Sequence, residues 1–246
     1  MKAVSLLATS RMHRRDACIN FSEPVVSFTF DDAPRSAVLN GESILKRYSY
    51  SGTYYISIGL MRNSGFDFDR GDGHLLQQIV ESGGELACHT FSHLHFFKSN
   101  RKEIITDLEK NQEFIERYVP GYKFENFSYP YGEQSSAGRD IIKSRFKSGR
   151  SVYKGVNMDK SDLNCLRGVR LYESINLEET IGIIDTAIKT GGWIIFYTHD
   201  VEPNPSKNGC SPGYFEAVVK YCFEKKLKVL PVNRVLDLID IKFLNK

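Results

Sequence analysis

Apolar and polar positions along this chain follow two periods that take turns. "PVVSFTF" (24–30) is continuous, β-branched and aromatic, as a buried strand is. "RSAVLNGESILKRY" (35–48) follows with helical spacing at Val38, Ile44, Leu45 and Tyr48. "GTYYISIG" (52–59) leads to "GHLLQQIVESG", where Leu75, Leu76, Ile79 and Val80 share a face. "GELACHT" (84–90) precedes a long amphipathic stretch carrying Ile104, Leu108, Ile115 and Tyr118, and "PG" at 120–121 stops it. The alternation goes on with "ENFSYPYG", a helix over 136–149, then "SVYKGVN" and "LRGVRLYE" as strands. A helix over 178–190 and the apolar "WIIFYTHD" (193–200) come next. A helix over 213–226, "LKVLPV" and a last helix near 233–240 complete the chain. About eight strands alternating with helices predict one α/β domain over 1–246, a distorted parallel (β/α)7-8 barrel of TIM-like type. No GxGxxG follows the first strand, so an open dinucleotide-binding sheet is disfavoured.

Composition removes several function classes. A net charge of +3 with no basic run gives no footprint for nucleic acid. No segment reaches the roughly 18 apolar residues of a membrane helix, and the apolar stretch from Ala3 to Ala8 is too short for a signal-peptide core. Cys18, Cys88, Cys165, Cys210 and Cys222 are odd in number and show no CxxC spacing, which fits a reducing compartment. The expectation is a cytoplasmic protein, in which the sequons at Asn20 and Asn126 are accidental. Oligomeric state is not fixed by the sequence.

The candidate chemistry gathers at one place. In a parallel barrel, functional groups belong at the C-terminal ends of the strands. "DD" (Asp31, Asp32), "HTFSH", "YPYG" and "THD" each follow a predicted strand. His89 and His93 would share a face on a helical turn and could bind one ion; alone, such a pair more often simply opens a helix. His93 with His95 is a rival pairing that a strand would require. Asp31 and Asp32 could be a turn and a helix cap, or one could bind metal while the other stays free. Two imidazoles and one carboxylate leave a coordination position open, as catalytic zinc requires. A free carboxylate and His199, at the same rim, would then serve as base and acid for hydrolysis of an amide.

"FTFDD", "HTFSH", "SYPYG" and "IIFYTHD", in this order between residues 25 and 232, resemble the motifs of the polysaccharide deacetylases, the NodB homology domain or carbohydrate esterase family 4. The resemblance implies a distorted barrel that removes N-acetyl, and sometimes O-acetyl, groups from sugars with one divalent metal ion, most commonly Zn2+, with Co2+, Ni2+ or Mn2+ as alternatives. It implies that Asp31 is the base, that Asp32, His89 and His93 bind the metal, and that His199 is the acid. Pro130 and Tyr131 would line the substrate groove, with the Tyr131 backbone N–H at the oxyanion. Many members carry an arginine two residues before the motif proline; here that position is Ser128, and Arg170, or Arg167, is the expected substitute. Asp159 or Asp162 would tune His199. The implied substrate is an N-acetylated amino sugar, lipid-linked, nucleotide-linked or in an oligosaccharide. A metal-dependent amidohydrolase on a small non-sugar amide, imide or formyl group is the alternative. An inactive sugar-binding relative would lack one of the five key side chains, and all five are present.

Overall fold

The computed structural model describes residues 13–68 and 71–239. The Ala3–Ala8 stretch and the end of the predicted last helix lie outside them. Seven parallel strands form the sheet: β2 (Val25–Asp32), β3 (Thr53–Ile56), β4 (Glu85–Cys88), β5 (Asn126–Ser128), β6 (Ser148–Arg150), β8 (Val169–Arg170) and β9 (Trp193–Thr198). Their spatial order is β6-β5-β4-β3-β2-β9-β8. A parallel bridge between Arg150 and Leu166 brings the two ends together. There Leu166 N–H donates to Gly149 O at 2.8 Å and Ser151 N–H to Leu166 O at 2.7 Å. The expected distorted barrel is thus present, with seven strands among the described residues, within the expected seven to eight. The eighth candidate, β10 (Lys228–Val229), pairs, among the described residues, with Val25 and Val26 at the foot of β2. Between β6 and β8, β7 (Asp159–Asp162) pairs antiparallel with β1 (Asp16–Ile19), an arrangement the alternation did not foretell.

Helices cover the outside. A π-turn (Ala37–Gly41) runs into α1 (Glu42–Arg47); α2 (Ile58–Met61), α3 (Gly73–Glu81) and α4 (Arg101–Tyr118) follow. Then come α5 (Ser136–Arg145), α6 (Leu177–Thr190), α7 (Pro212–Glu224) and α8 (Val232–Leu236). α4 starts sharply because Asn100 accepts from the N–H groups of Lys102 and Glu103 while Glu103 reaches back to Asn100, a capping box. Its buried positions are Ile104, Leu108, Asn111 and Ile115, nearly the predicted face. No described helix is long and apolar enough to cross a membrane.

Two predicted boundaries move. The helix expected over 136–149 stops at Arg145, and the strand expected over 151–157 lies upstream as Ser148–Arg150. "SGR" has no apolar side chain to announce a strand. It is a strand because its backbone fills the slot beside β5, with Asn126↔Ser148 and Ser128↔Arg150 in register and all three residues buried. Gly149 is needed there, since a Cβ would meet the Tyr129 ring at 2.9 Å.

Strand register sets the level of every later residue. Phe30 pairs with both Tyr54 and Thr198, Asp32 with Ile56, Ile56 with Cys88, and Cys88 with Phe127. Asp31, Asp32, His89, Ser128, Arg150 and His199 therefore leave their strands at one rim. Below them Phe28, Phe30, Tyr54, Ile56, Phe127 and Phe196 are fully buried. Removing one such aromatic side chain costs about 3–5 kcal/mol.

Candidate active site at the barrel mouth

β2 ends in an abrupt change of backbone. Asp32 and Ala33 both have left-handed φ values, 59° and 43°, where aspartate is one of the few residues that sits readily. The turn separates neighbouring carboxylates: Asp31 stays within the barrel, 4% exposed, and Asp32 comes over the rim. Asp32 Oδ1 lies 3.7 Å from His89 Nε2 and 3.6 Å from His93 Nε2. It is buried and has no hydrogen-bond partner among the described residues.

A buried carboxylate oxygen left without a donor is costly unless something else satisfies it. Three donor atoms, one each from Asp32, His89 and His93, lie within 4.8 Å of one another. Ligand atoms on a tetrahedral ion with bonds of about 2.0–2.1 Å would be about 3.3 Å apart, so small inward movements suffice. His89 Nδ1 donates to Ser128 O at 2.8 Å, which leaves Nε2 with the free lone pair. Burial lowers the pKa of His89 and, aided by the neighbouring His89, brings that of His93 down to about 4, so both rings are neutral. The residues fit a divalent ion of zinc type.

The pair is not on a helical turn. His89 directly follows β4, and His93 closes a loop in which Thr90 and His93 have φ of 61° and 54°. His95 stands aside from the cluster: its ring stacks flat on Tyr131 at 3.8 Å and its Nδ1 is 3.0 Å from Glu133 Oε1.

Asp31 has a different neighbour set. The guanidinium of Arg150 donates to its Oδ1, and Ser128 Oγ donates to the same oxygen at 3.3 Å. Burial works to raise the pKa of this carboxyl, but the Arg150 guanidinium, with smaller contributions from His89 and His199, outweighs it and holds it at about 2. Arg150 is itself buried, with its guanidinium 5.1 Å from the Tyr55 ring and 4.5 Å from the Tyr197 ring. The charge that opposes Asp31 therefore comes from β6 and not from the expected Arg170. Arg170 instead donates to Tyr197 Oη, at 3.2 Å. Arg167 bonds to Lys154 O.

His199 faces the cluster from β9, its Nε2 4.0 Å from Asp32 Oδ2. Its Nδ1 is buried and unpartnered among the described residues, so Nε2 is the nitrogen open to a ligand. Neither expected tuning carboxylate reaches it. Asp162 is tied to Arg139 at 2.7 Å and to Arg15 N–H at 2.9 Å, and Asp159 pairs with Ile19 in the β1–β7 ribbon. The Tyr172 ring, 6.1 Å away, is the aromatic neighbour of His199.

Pro130 and Tyr131 follow β5. Tyr131 has φ 57° and is 55% exposed, with its ring 4.2 Å from that of His93. Gly132 permits this turn: its φ is 69°, and a Cβ would meet Val152 Cγ2 at 2.4 Å. An open cleft of about 840 Å3, lined by Asp32 and His199, runs past Arg35, Asn63, Ser64, Glu202 and Asn208.

The sequence matches the family described as polysaccharide deacetylase over residues 19–145, just over half the chain. A bifunctional xylanase/deacetylase from Pseudobutyrivibrio xylanivorans is 26% identical over 128 residues, 52% of this chain and 20% of that protein. A peptidoglycan-N-acetylglucosamine deacetylase from Bacillus cereus is 26% identical over 103 residues, 40% of this chain and 43% of that one. The chain thus spans less than half the length of these relatives. In fold it is similar to a family 4 acetyl xylan esterase from Clostridium thermocellum solved with a cobalt ion. That match has a TM-score of 0.62, 17% identity, and covers 88% of this chain and 93% of that one.

Proposed function

The chain belongs to the polysaccharide deacetylase family, and from that premise we propose that it is a metal-dependent hydrolase removing the N-acetyl group of an amino sugar in a glycan or glycan precursor. One observation carries this reading. The orphaned Asp32 carboxylate oxygen and two neutral imidazoles converge between a buried ionised carboxylate on one side and His199 on the other. Asp32, His89 and His93 would hold a divalent ion, which would supply Lewis acidity to polarise the substrate carbonyl and to lower the pKa of a water towards about 7.

The chain's own groups supply the rest. Asp31 is ionised at any working pH and accepts the hydrogen bond, then the proton, of the attacking water. A carboxyl held at about 2 is a weak base. Its main service is therefore to orient the water, and Arg150 fixes it for that task. His199 donates through Nε2 to the departing amine nitrogen. The Tyr131 backbone N–H stabilises the oxyanion, a role in which removing one donor costs about 3–4 kcal/mol.

The open cleft and the exposed Tyr131 ring favour a sugar over a small amide or imide, for which a closed cavity would be expected. The substrate we assign is an N-acetylated sugar, lipid-linked, nucleotide-linked or in an oligosaccharide. The test is acetate release from N-acetylglucosamine oligomers and from acetylated xylan, with Zn2+, Co2+, Ni2+ or Mn2+ restored to metal-free protein. Release from the amino sugars supports the reading. Release from xylan alone makes the chain an esterase, and release from neither substrate with any metal removes the proposal.

A further inference from the structure

The loop that carries His89 and His93 is held in a conformation its residues do not choose by themselves. Thr90 and His93 are both left-handed, and a β-branched threonine rarely enters that region. Such backbone persists only where the surroundings overdetermine it. Three neighbours do so here. Ser57 Oγ donates to His89 O at 2.8 Å. Gly59 N–H donates to Phe91 O at 2.9 Å, an approach that needs glycine, since a Cβ would stand 2.6 Å from that oxygen.

The third neighbour is Asp107 on α4, and it makes the most contacts. Its Oδ1 accepts from Phe91 N–H at 2.7 Å and from Ser92 N–H at 3.1 Å, and its Oδ2 accepts from Ser92 Oγ at 2.6 Å. One turn further, Asn111 ties the same helix to β3, donating to Ile56 O at 2.8 Å and accepting from Ile58 N–H at 3.3 Å. A single polar row on α4 thereby fixes the end of β3 and the loop after β4 relative to each other. His93 immediately follows the two N–H groups that Asp107 holds.

We infer that Asp107 is a positioning residue for the metal centre: its carboxylate sets the left-handed loop that brings His93 Nε2 to Asp32. It touches neither ligand nor substrate and acts through the backbone of Phe91 and Ser92. The inference rests on the metal-dependent reading above. Asparagine keeps an oxygen for both N–H groups and an amide that Ser92 Oγ can accept from. Alanine keeps nothing, and glutamate puts the carboxylate one methylene too far.

The experiment is Zn2+ affinity of metal-free protein by competition with a chromophoric chelator, together with the melting temperature with and without Zn2+. Wild type is compared with D107A, D107N, D107E and, as a control on the same helix, E113A. Outer partners of metal ligands typically contribute about 10–100-fold in affinity. D107A is expected to bind about 10–100-fold more weakly and to show a smaller Zn2+-induced rise in melting temperature. D107N and E113A are expected within about threefold of wild type. If D107A does not fold, D107E is expected to bind at least about tenfold more weakly. Affinity within about threefold for the folded D107A, or for D107E, overturns the inference. So does a D107A melting temperature lowered equally with and without Zn2+. Failure of wild type to bind any metal sinks the functional reading, and the inference falls with it, an outcome distinct from normal binding in both variants.

Discussion

Arg150 at the end of β6 and Asp31 near the end of β2 form a buried ion pair across the barrel mouth, 119 residues apart in sequence. Breaking such a pair from one side typically costs about 3–5 kcal/mol, because the other charge is left buried and uncompensated. Asp31 has a folded pKa of about 2 against an ordinary 3.8, so its ionisation, favoured chiefly by Arg150, contributes about 2 kcal/mol of stability. That contribution is present above about pH 4 and is lost as pH falls towards 2. In Arg150→Met, burial acts unopposed by the guanidinium and the Asp31 pKa rises. The Asp31 limb of kcat/KM, below the working range in the wild type, should rise above the ordinary carboxyl value of 3.8 and appear as a new acidic limb, and stability at neutral pH should fall. A pH–rate profile from 4 to 9 and urea unfolding at two pH values check both; a profile of the variant without the new acidic limb would contradict the pairing.

Asp31→Asn should lower kcat about 100- to 10,000-fold, the range of a lost general base. Metal content should stay near one equivalent, because Asp32, not Asp31, faces the two imidazoles. His199→Ala should lose a similar factor, again with metal retained. Elemental analysis beside steady-state kinetics separates these roles, and loss of metal in Asp31→Asn would reverse the assignment of the two aspartates.

Chelation should abolish acetate release, and one equivalent of Zn2+ or Co2+ should restore it. The double variant His89→Ala/His93→Ala should hold no metal and should not be restored. Retention of one equivalent by that variant would place the ion elsewhere.

Glu85 lies at the opposite end of the barrel, fully within it, where burial raises its pKa to about 7 despite three donors. Asn126 Nδ2 is at 2.6 Å, Thr53 Oγ1 at 2.9 Å and Asn233 N–H at 2.9 Å. The folded protein keeps a proton there that the unfolded chain has released above about pH 4.5. Its contribution is therefore full below pH 4.5 and declines as pH rises through 7. Glu85→Gln should flatten that decline, because the amide does not titrate. Denaturant unfolding at pH 5, 6, 7 and 8 reads the slope; equal slopes in both proteins would reject the raised pKa.

Much of this molecule could be read from its residues in order. The runs 24–30, 52–59, 84–90 and 193–200 are apolar because both faces of a parallel strand are covered, so periodicity found them. Asp31, Asp32, His89, His93 and His199 stand out because polar groups directly after buried strands have few structural reasons to be there. What periodicity missed was decided elsewhere. "SGR" has no strand pattern, and Arg150 meets Asp31 only because β6 is the strand beyond β5 at the same level. Arg170, equally basic and on a strand that was expected, points to Tyr197 instead.

The distinction between the two aspartates follows the same line. Sequence places two carboxylates side by side after a strand. The left-handed turn at Asp32 and the ring of seven strands send one to the imidazoles and the other to an arginine. Local pattern is written in the sequence because burial of each strand and helix face depends on near neighbours along the chain. Charge pairing across the barrel is set by which strands close the ring, and those contacts join residues about a hundred positions apart, where spacing along the chain carries no signal.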